Sequence, residues 1–438
     1  MIRLRDRLIK GTTLNLIAVV FNQGSTLIAN IIVARILMKQ GFGEYAMVQT
    51  TLLTMTVLSQ FATGYTAAKY IAEYRSSDPE RAGRIMGLCA IISIVMAGVG
   101  SLLLIGIAPW LADAILKASH LEFALMIGSG FLFFSSINGY QTGTLSGLEA
   151  FSSLAKAGII SGIVAVAAIS LGAWWGGLNG TLIGLSISAF VRCAIHNRWL
   201  RLESLAQGIK PQYRGSLSQE KAIVLKFALP AAIAGYYSMP MIWLANSFLV
   251  RQPDGYGEMA LYASSSSVRL LVLFIPQVIN NVSLSILNNI RGSGDAQRYK
   301  RAYRSNVVII FLATLTGGLI IGLFGDTILS IFGKEFRGGK MVLQILMIST
   351  VFEGVAIALY QHIQAQGKIW TSLFFINLPR ETVFVILAFI FVPAKGAVGL
   401  SVAYTLCWLL TLASICMLVY RGQKAIKNNQ SSVMISPK

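Results

Sequence analysis

The chain has 438 residues, of which 55% are apolar and only 12% charged, and its 36 Lys and Arg against 17 Asp and Glu give a formal charge of +19. Soluble domains carry about 25% charged residues, so this composition excludes a disordered chain, a fibre and an ordinary cytosolic enzyme. It predicts a membrane protein with many spans. Because a charge of +19 is also typical of nucleic-acid binding, the positions of the basic residues decide between the two interpretations.

Twelve apolar stretches are long enough to cross a bilayer, which takes about 20 residues of helix. In chain order they are 12–34, 45–68, 85–112, 121–145, 154–175, 178–195, 222–249, 259–287, 307–328, 341–366, 370–392 and 397–420. An even number of spans puts both termini on one side of the membrane. The basic start continues into the first stretch without a small-residue cleavage site, so we expect an uncleaved first span.

The basic residues lie mostly on one side of this predicted membrane. Lys and Arg are retained on the cytoplasmic side, and they are concentrated in the two termini and in the loops on the same side as the termini. We therefore predict cytoplasmic termini and contact with anionic lipid headgroups. Nearly all of the +19 is then topological, and no nucleic-acid partner is predicted.

A motif in the first half recurs in the second half at a nearly constant offset, which indicates an internal repeat. It runs Ala29-Asn30, Arg35 and Gly41-Phe42-Gly43-Glu44, and then Ala245-Asn246, Arg251 and Gly255-Tyr256-Gly257-Glu258. The offset covers six spans, so the copies share one orientation and form a parallel repeat. We predict an N-terminal six-helix lobe at 1–196, a basic cytoplasmic linker at 197–221, a C-terminal six-helix lobe at 222–420 and a cytoplasmic tail at 421–438. Two such lobes predict transport by alternating access.

Two further motifs, Ala34-Arg35 with Gly41-Phe42-Gly43-Glu44-Tyr45, and Gln364-Ala365-Gln366-Gly367-Lys368, complete a pattern that covers about residues 10–420. With the repeat and the order of spans, the chain resembles the polysaccharide-transporter branch of the multidrug/oligosaccharidyl-lipid/polysaccharide superfamily, which includes the Wzx-type O-unit flippases. The resemblance implies an all-α, MATE-like membrane fold.

The same resemblance implies the activity. It is the movement of a polyprenyl-pyrophosphate-linked oligosaccharide, such as an O-antigen unit of lipopolysaccharide or another surface polysaccharide unit, across the bacterial inner membrane. The implied partners are the undecaprenyl pyrophosphate-linked substrate and the polysaccharide polymerase and chain-length proteins. No cofactor, metal site or catalytic residue is predicted.

Four ionisable residues stand out near the middle of predicted second-lobe spans, where a charge costs about 2.5 to 3.5 kcal/mol on insertion scales. Arg269 and Arg380 are candidate cavity residues for the pyrophosphate or an acidic sugar, because guanidinium binds two phosphate oxygens at once. Glu353 and Glu381 are candidates for carrying a coupling ion. The alternative is that the two arginines pair with the two glutamates and hold helices together.

Five other residues are candidate substrate contacts. Arg35 and Arg251 occupy equivalent places at the outer ends of spans one and seven, and Lys69 lies near the inner end of span two. Each of the three is alternatively an anchor that extends to the membrane interface. Asn22 and Gln23 are uncharged polar residues inside the first span.

Three other functions fit parts of the pattern. A MATE-like antiporter of drugs or other small molecules shares the two-lobed plan, but an antiporter of cations is expected to place unpaired carboxylates in its cavity. A membrane glycosyltransferase or polymerase needs catalytic residues on a sizeable loop, whereas the longest loop here is basic and lacks an Asp pair or a Gly-rich phosphate loop. The third is a scaffold that has the fold without transport.

Overall fold

The computed structural model describes the backbone of residues 2–214, 220–223, 227–229, 232, 236–292, 296–365 and 372–433. It describes the side chains of residues 20–214, 220–223, 227–229, 232, 236–274, 276–280, 297–360 and 372–418. Parts of the predicted linker and seventh span, the side chains of the Gln364-Ala365-Gln366-Gly367-Lys368 motif and those of the predicted tail lie outside the described residues.

Helices make up nearly all of the described chain, and no β-strand occurs in it. The long helices are α1 (Ile2–Gln60), α2 (Thr63–Tyr74), α3 (Pro79–Trp110), α4 (Glu122–Gly147), α5 (Phe151–Ala206), α6 (Ser238–Val250), α7 (Gly255–Gly292), α8 (Ala296–Leu323), α9 (Lys340–Ala365) and α10 (Leu378–Val433). Short helical segments lie at Leu111–Ile115, Ser119–Leu121, Lys221–Ile223, Gly325–Ser330, Lys334–Gly339 and Leu373–Asn377. A helix is the expected solution in lipid, because it satisfies every backbone polar group within the segment. The prediction of an all-α membrane protein is confirmed.

Eight helical runs in the described residues are long and apolar enough to span a membrane. They are Val20–Gln60, Pro79–Ile115, Ser119–Gly147, Phe151–Ala206, Gly255–Asn280, Gln297–Leu323, Lys334–Tyr360 and Leu373–Leu418. The first, fourth and eighth have 41, 56 and 46 residues, which is about twice the length of one span. The count of twelve spans stays a prediction.

Each of these three long runs contains a kink between two predicted spans. The kinks lie at Met38 (φ 61°, ψ −177°) in α1, at Gly177 (φ 54°, ψ −134°) in α5 and at Gly396 (φ 51°, ψ −130°) in α10. Glycine adopts a positive φ without a steric penalty because it has no Cβ. The kinks in α5 and α10 therefore follow from the sequence, whereas Met38 holds a conformation that is otherwise nearly confined to glycine.

The chain folds into two compact units that differ from a simple division of the sequence in half. The first unit comprises Met1–Ala263 together with Ile331–Phe336, and the second comprises Ser264–Ser330 together with Arg337–Lys438. The two lobes with a linker at 197–221 remain a prediction.

Residues 331–336, here called the strap, pack against α1 inside the first unit. Phe332 and Phe336 are each only 1% exposed, and their ring centroids lie 6.4 and 5.8 Å from that of Phe42. Arg35 Nε donates to the carbonyl oxygen of Ile331 at 2.7 Å, and the backbone N–H of Lys39 donates to a carboxylate oxygen of Glu335 at 3.2 Å. The strap thus holds α1 on both sides of the Met38 kink.

Helices α2 and α4 approach closely at two glycines. A Cβ added to Gly143 would lie 2.0 Å from the carbonyl oxygen of Gly64, and one added to Gly64 would lie 2.6 Å from that of Gly139. Small residues let helix backbones approach closely, and this packing favours helix association in lipid, where no hydrophobic effect drives it. The contact sets the distance between two walls of the cavity described below.

Candidate functional site

The first unit contains a cavity of about 530 Å³ between α1, α2, α4 and α5, within the range typical of small-ligand sites. Its polar lining includes Gln60 of α1, Asn138 and Thr142 of α4, and Arg192 of α5. We call it the larger cavity. Its lining, in the described residues, contains no Asp or Glu.

A second cavity of about 290 Å³, the smaller cavity, lies beside the first between α1, α4 and α5. The two cavities share Asn138, Thr142, Ser146 and Arg192. Asn22 and His196 contribute only to the smaller one, whose lining in the described residues also lacks an acidic residue. The four shared residues therefore form the wall where the two spaces meet.

The shared wall follows from a spacing of four residues along α4. Asn138, Thr142 and Ser146 lie one turn apart and so occupy one face of the helix. The Thr142 hydroxyl donates to the Asn138 carbonyl oxygen at 2.9 Å, and the Ser146 hydroxyl donates to the Thr142 carbonyl oxygen at 2.9 Å. Because each hydroxyl hydrogen is used on the backbone, the hydroxyl oxygens remain as acceptors. This face suits a partner with many hydroxyl donors, such as a saccharide.

Arg192 supplies the positive charge of this wall. It lies in the part of α5 that follows the Gly177 kink, about four turns before the helix ends at Ala206. Among the described residues, no carboxylate lies within 4.0 Å of its guanidinium. In the sequence, Arg192 lies at the end of the sixth predicted span and is not distinguished from the basic residues that follow it. The signal that could have found it is the Arg192/His196 spacing of four together with the matching stripe on α4.

His196 lies one turn after Arg192 and is only 5% exposed. Its Nδ1 is 2.9 Å from the Arg192 carbonyl oxygen. A carbonyl oxygen only accepts, so Nδ1 carries the hydrogen and Nε2 of the neutral ring is an acceptor. The imidazole is thereby held in one orientation at the wall of the smaller cavity.

In the second unit, Arg269 belongs to a closed cluster of three helices. Its Nη1 donates to a Glu353 carboxylate oxygen at 2.5 Å and to the Tyr404 hydroxyl at 2.7 Å. The Tyr404 hydroxyl donates to the same glutamate oxygen at 3.0 Å, and the guanidinium carbon lies 4.6 Å from the centroid of the tyrosine ring. Residues of α7, α9 and α10 are thus joined by one charged contact.

The second predicted pair lies within the first turn of α10. Arg380 Nε donates to a carboxylate oxygen of Glu381 at 3.0 Å, and its guanidinium carbon lies 4.9 Å from the Trp408 ring centroid. The five residues Leu373–Asn377, directly before α10, form a π-helical turn, a local distortion often found at functional sites. Neither Arg269 nor Arg380 lines the larger or the smaller cavity.

The remaining candidate residues are dispersed. Asn22 lines the smaller cavity, whereas Gln23 lines neither. Arg35 is exposed and bonds to the strap, and Arg251 is exposed at the end of α6. Lys69 is exposed, with its Nζ 4.2 Å from the Phe227 ring centroid.

The described fold defines a class, the all-helical protein that crosses a membrane several times. Over 94% of this chain and 99% of the other, the structure is similar to an inward-facing multidrug resistance MATE family transporter of the MOP superfamily, with a TM-score of 0.78 at 16% identity. It is also similar to the lipid II flippase MurJ in an inward closed conformation, with a TM-score of 0.73 at 14% identity over 93% of this chain and 87% of that one. At these identities the likeness shows the fold.

The sequence identifies the family. The profile of the polysaccharide biosynthesis protein family matches residues 8–284, more than half of the chain, so the chain belongs to that family. It is 23% identical over 424 residues to the EPS I polysaccharide export inner membrane protein EpsE of Ralstonia nicotianae, covering 94% of each chain. The resemblance drawn from the motifs is confirmed.

Proposed function

We propose that this protein is a flippase that moves a lipid-linked saccharide across the bacterial inner membrane by alternating access. The observation that carries the proposal is the full-length relation to a polysaccharide export inner membrane protein, which covers 94% of both chains. The eight apolar helical runs and the cavity of about 530 Å³ support it, because they supply a membrane body and a space for a polar ligand. The substrate class is polyprenyl-pyrophosphate-linked oligosaccharide, and the protein acts as a transporter without enzymatic chemistry.

The test is reconstitution of the full chain into vesicles that contain a fluorescent undecaprenyl-pyrophosphoryl saccharide in both leaflets. A membrane-impermeant reductant bleaches only the outer-leaflet pool unless a flippase supplies the inner pool to it. We expect the protein to make the inner pool accessible. Bleaching that stops at the outer pool, with correctly folded protein, would overturn the proposal.

Deletion of the gene in its host supplies the cellular test. We expect a surface polysaccharide to be lost while its lipid-linked unit accumulates on the inner leaflet. An unchanged surface glycan would contradict the proposal, and a gain in drug susceptibility with intact glycan would instead favour the MATE-like antiporter. Cross-linking in the same cells tests the proposed contacts with a polysaccharide polymerase and chain-length proteins.

The proposal includes an orientation, with the N- and C-termini in the cytoplasm. It rests on the distribution of Lys and Arg, which are retained on that side. A green fluorescent protein fused after residue 438 is expected to fluoresce, and alkaline phosphatase fused there is expected to be inactive. An active phosphatase fusion would contradict the proposed orientation and place the C-terminus on the opposite side of the membrane.

The proposal also assigns roles to the charged residues of the second unit. Glu353 and Glu381 are the coupling groups, because each contacts an arginine that is a candidate for the anionic substrate, Glu353 with Arg269 and Glu381 with Arg380. Glu353→Gln is expected to make transport insensitive to an imposed pH gradient. A gradient response equal to that of the wild type would remove Glu353 from the role.

A further inference from the structure

Among the described residues, no carboxylate offsets the positive charge of Arg192. The described linings of both cavities contain no Asp or Glu, and the ion pairs of the described residues do not include Arg192. By contrast, Arg269 and Arg380 each contact a glutamate that is less than 10% exposed. A charged residue that lines a cavity of a membrane protein, with no carboxylate partner among the described residues, is a candidate functional site.

The neighbours of Arg192 are neutral polar groups that can receive a ligand without competing for the guanidinium. Thr142 and Ser146 present hydroxyl oxygens whose hydrogens are used on the backbone. His196 presents an acceptor nitrogen, since its Nδ1 hydrogen is used on the Arg192 carbonyl. One cation is thus surrounded by acceptors, which is an arrangement for a ligand with an anionic group next to several hydroxyls.

We propose that Arg192 binds the phosphate group of the lipid-linked substrate where the larger cavity and the smaller cavity meet, with the α4 face of Thr142 and Ser146 contacting the adjoining sugar. This proposal rests on the proposed function and adds to it a place where the substrate is held. Guanidinium suits the role because its planar fork bonds two phosphate oxygens together. A positive cavity also repels cations, which separates this site from that of a cation antiporter.

The substrate offers two sources of negative charge, the pyrophosphate of the carrier and any acidic sugar. The pyrophosphate is the source proposed here, since a flippase of lipid-linked saccharides meets it in every substrate. Three probes distinguish the sources: undecaprenyl pyrophosphate without sugar, uncharged undecaprenol and a free uronic acid.

The experiment measures binding of these probes to the purified full chain in detergent. We expect Arg192→Gln to weaken binding of undecaprenyl pyrophosphate about tenfold or more, as for loss of a hydrogen bond between charged groups. Undecaprenol binding should not change. Arg192→Lys keeps the charge and loses the fork, so it should recover part of the affinity.

Arg198→Gln is the matched control, because Arg198 is an exposed arginine of the same helix that lines neither cavity. Wild-type affinity for undecaprenyl pyrophosphate in the Arg192→Gln variant, or an equal loss in Arg198→Gln, would overturn the proposal. So would a loss confined to the uronic acid. A Thr142→Val variant is expected to weaken binding of a saccharide-bearing carrier while leaving the bare carrier unaffected.

The outcomes separate this proposal from the flippase proposal. If the wild-type protein binds undecaprenyl pyrophosphate through Arg192 but fails to expose inner-leaflet substrate in vesicles, the flippase proposal fails and the phosphate site stands. If the wild type transports and the Arg192→Gln variant transports and binds equally well, the phosphate site fails and the flippase proposal stands.

Discussion

In the second unit Arg269 lies against Glu353 and Arg380 against Glu381, whereas in the first unit Arg192 lines two cavities whose described walls hold no acid. A buried pair whose members satisfy one another contributes mainly to holding helices in place, and removing one member is costly. Arg192 has no such partner among the described residues, so we expect it to contribute little to holding the fold and its charge to be available to a ligand. In the described structure, therefore, the second-unit arginines are engaged with glutamates, whereas Arg192 has no carboxylate partner among the described residues.

The comparison also changes how the charge of the whole chain is understood. The net charge of the four midspan residues Arg269, Arg380, Glu353 and Glu381 is zero, so recognition of an anion by this group depends on whether the arginines are paired with the glutamates. In the structure, Arg269 contacts Glu353 and Arg380 contacts Glu381. Arg192 of the first unit has no carboxylate partner among the described residues, although the sequence does not distinguish it from the basic residues that follow it.

The largest expected effect comes from breaking the closed cluster of the second unit. Glu353→Leu leaves Arg269 buried without its carboxylate, so we expect the free energy of unfolding in detergent to fall by about 3 to 5 kcal/mol. Adding Arg269→Met removes the uncompensated charge and should restore most of the loss. Asp326→Asn is the control, since the Lys340–Asp326 pair is exposed and is expected to contribute less than about 1 kcal/mol. A double variant no more stable than Glu353→Leu would contradict this account.

The next largest loss of stability is expected for Gly143→Ala, which moves a wall of the larger cavity in the first unit. The added Cβ of Gly143→Ala meets the Gly64 carbonyl oxygen of α2, so the helices must separate, and we expect a loss of about 1 to 3 kcal/mol. The matched control is Gly98→Ala in α3, where an added Cβ meets nothing within 4 Å. Denaturant unfolding of both variants measures the difference, and equal losses would show that the contact does not set the packing.

Arg35 and Arg251, which occupy equivalent places in the predicted repeat, are expected to differ less in their contribution to the free energy of unfolding. Arg35→Ala removes the hydrogen bond to the strap and is expected to lower unfolding free energy by about 1 kcal/mol. Arg251→Ala removes an exposed side chain at the end of α6 and should change it little. Thermal unfolding of the two variants side by side tests this, and an equal response would mean that the strap bond contributes nothing.

The smallest expected effect on stability is at Arg192. Because the residue has no carboxylate partner among the described residues, Arg192→Gln should change the free energy of unfolding by less than about 0.5 kcal/mol, while transport falls. This result, set beside that of Glu353→Leu, separates a charge without a carboxylate partner from a charge engaged in an ion pair. A loss of several kcal/mol in Arg192→Gln would show that the two units do not differ in this way.

Much of the fold follows from the sequence, because a stretch of about 20 apolar residues has few alternatives to a helix in lipid. The breaks at Gly177 and Gly396 also fall between predicted spans. What the sequence does not reveal is that α5 continues past the sixth predicted span to Ala206. Helix length there depends on packing, since the local composition is polar enough to read as a loop.

The site is less predictable for a similar reason. Glu353 and Tyr404 lie far along the chain from Arg269, and their meeting depends on how α7, α9 and α10 pack. Tyr404 is one aromatic residue in an apolar helix and carries no signal of its own. In the sequence, Arg192 is one of several neighbouring basic residues. Only the cavity linings show that it faces inward.

The kink at Met38 shows what the strap does for the first unit. A non-glycine residue at φ 61° and ψ −177° is strained by about 1 to 3 kcal/mol, and such a conformation persists only where the surroundings enforce it. Arg35, Lys39 and Phe42 are held by strap residues on either side of this point. The strap contacts therefore enforce a strained backbone conformation at Met38, whereas the positive φ at Gly177 and Gly396 carries no comparable strain because glycine has no Cβ.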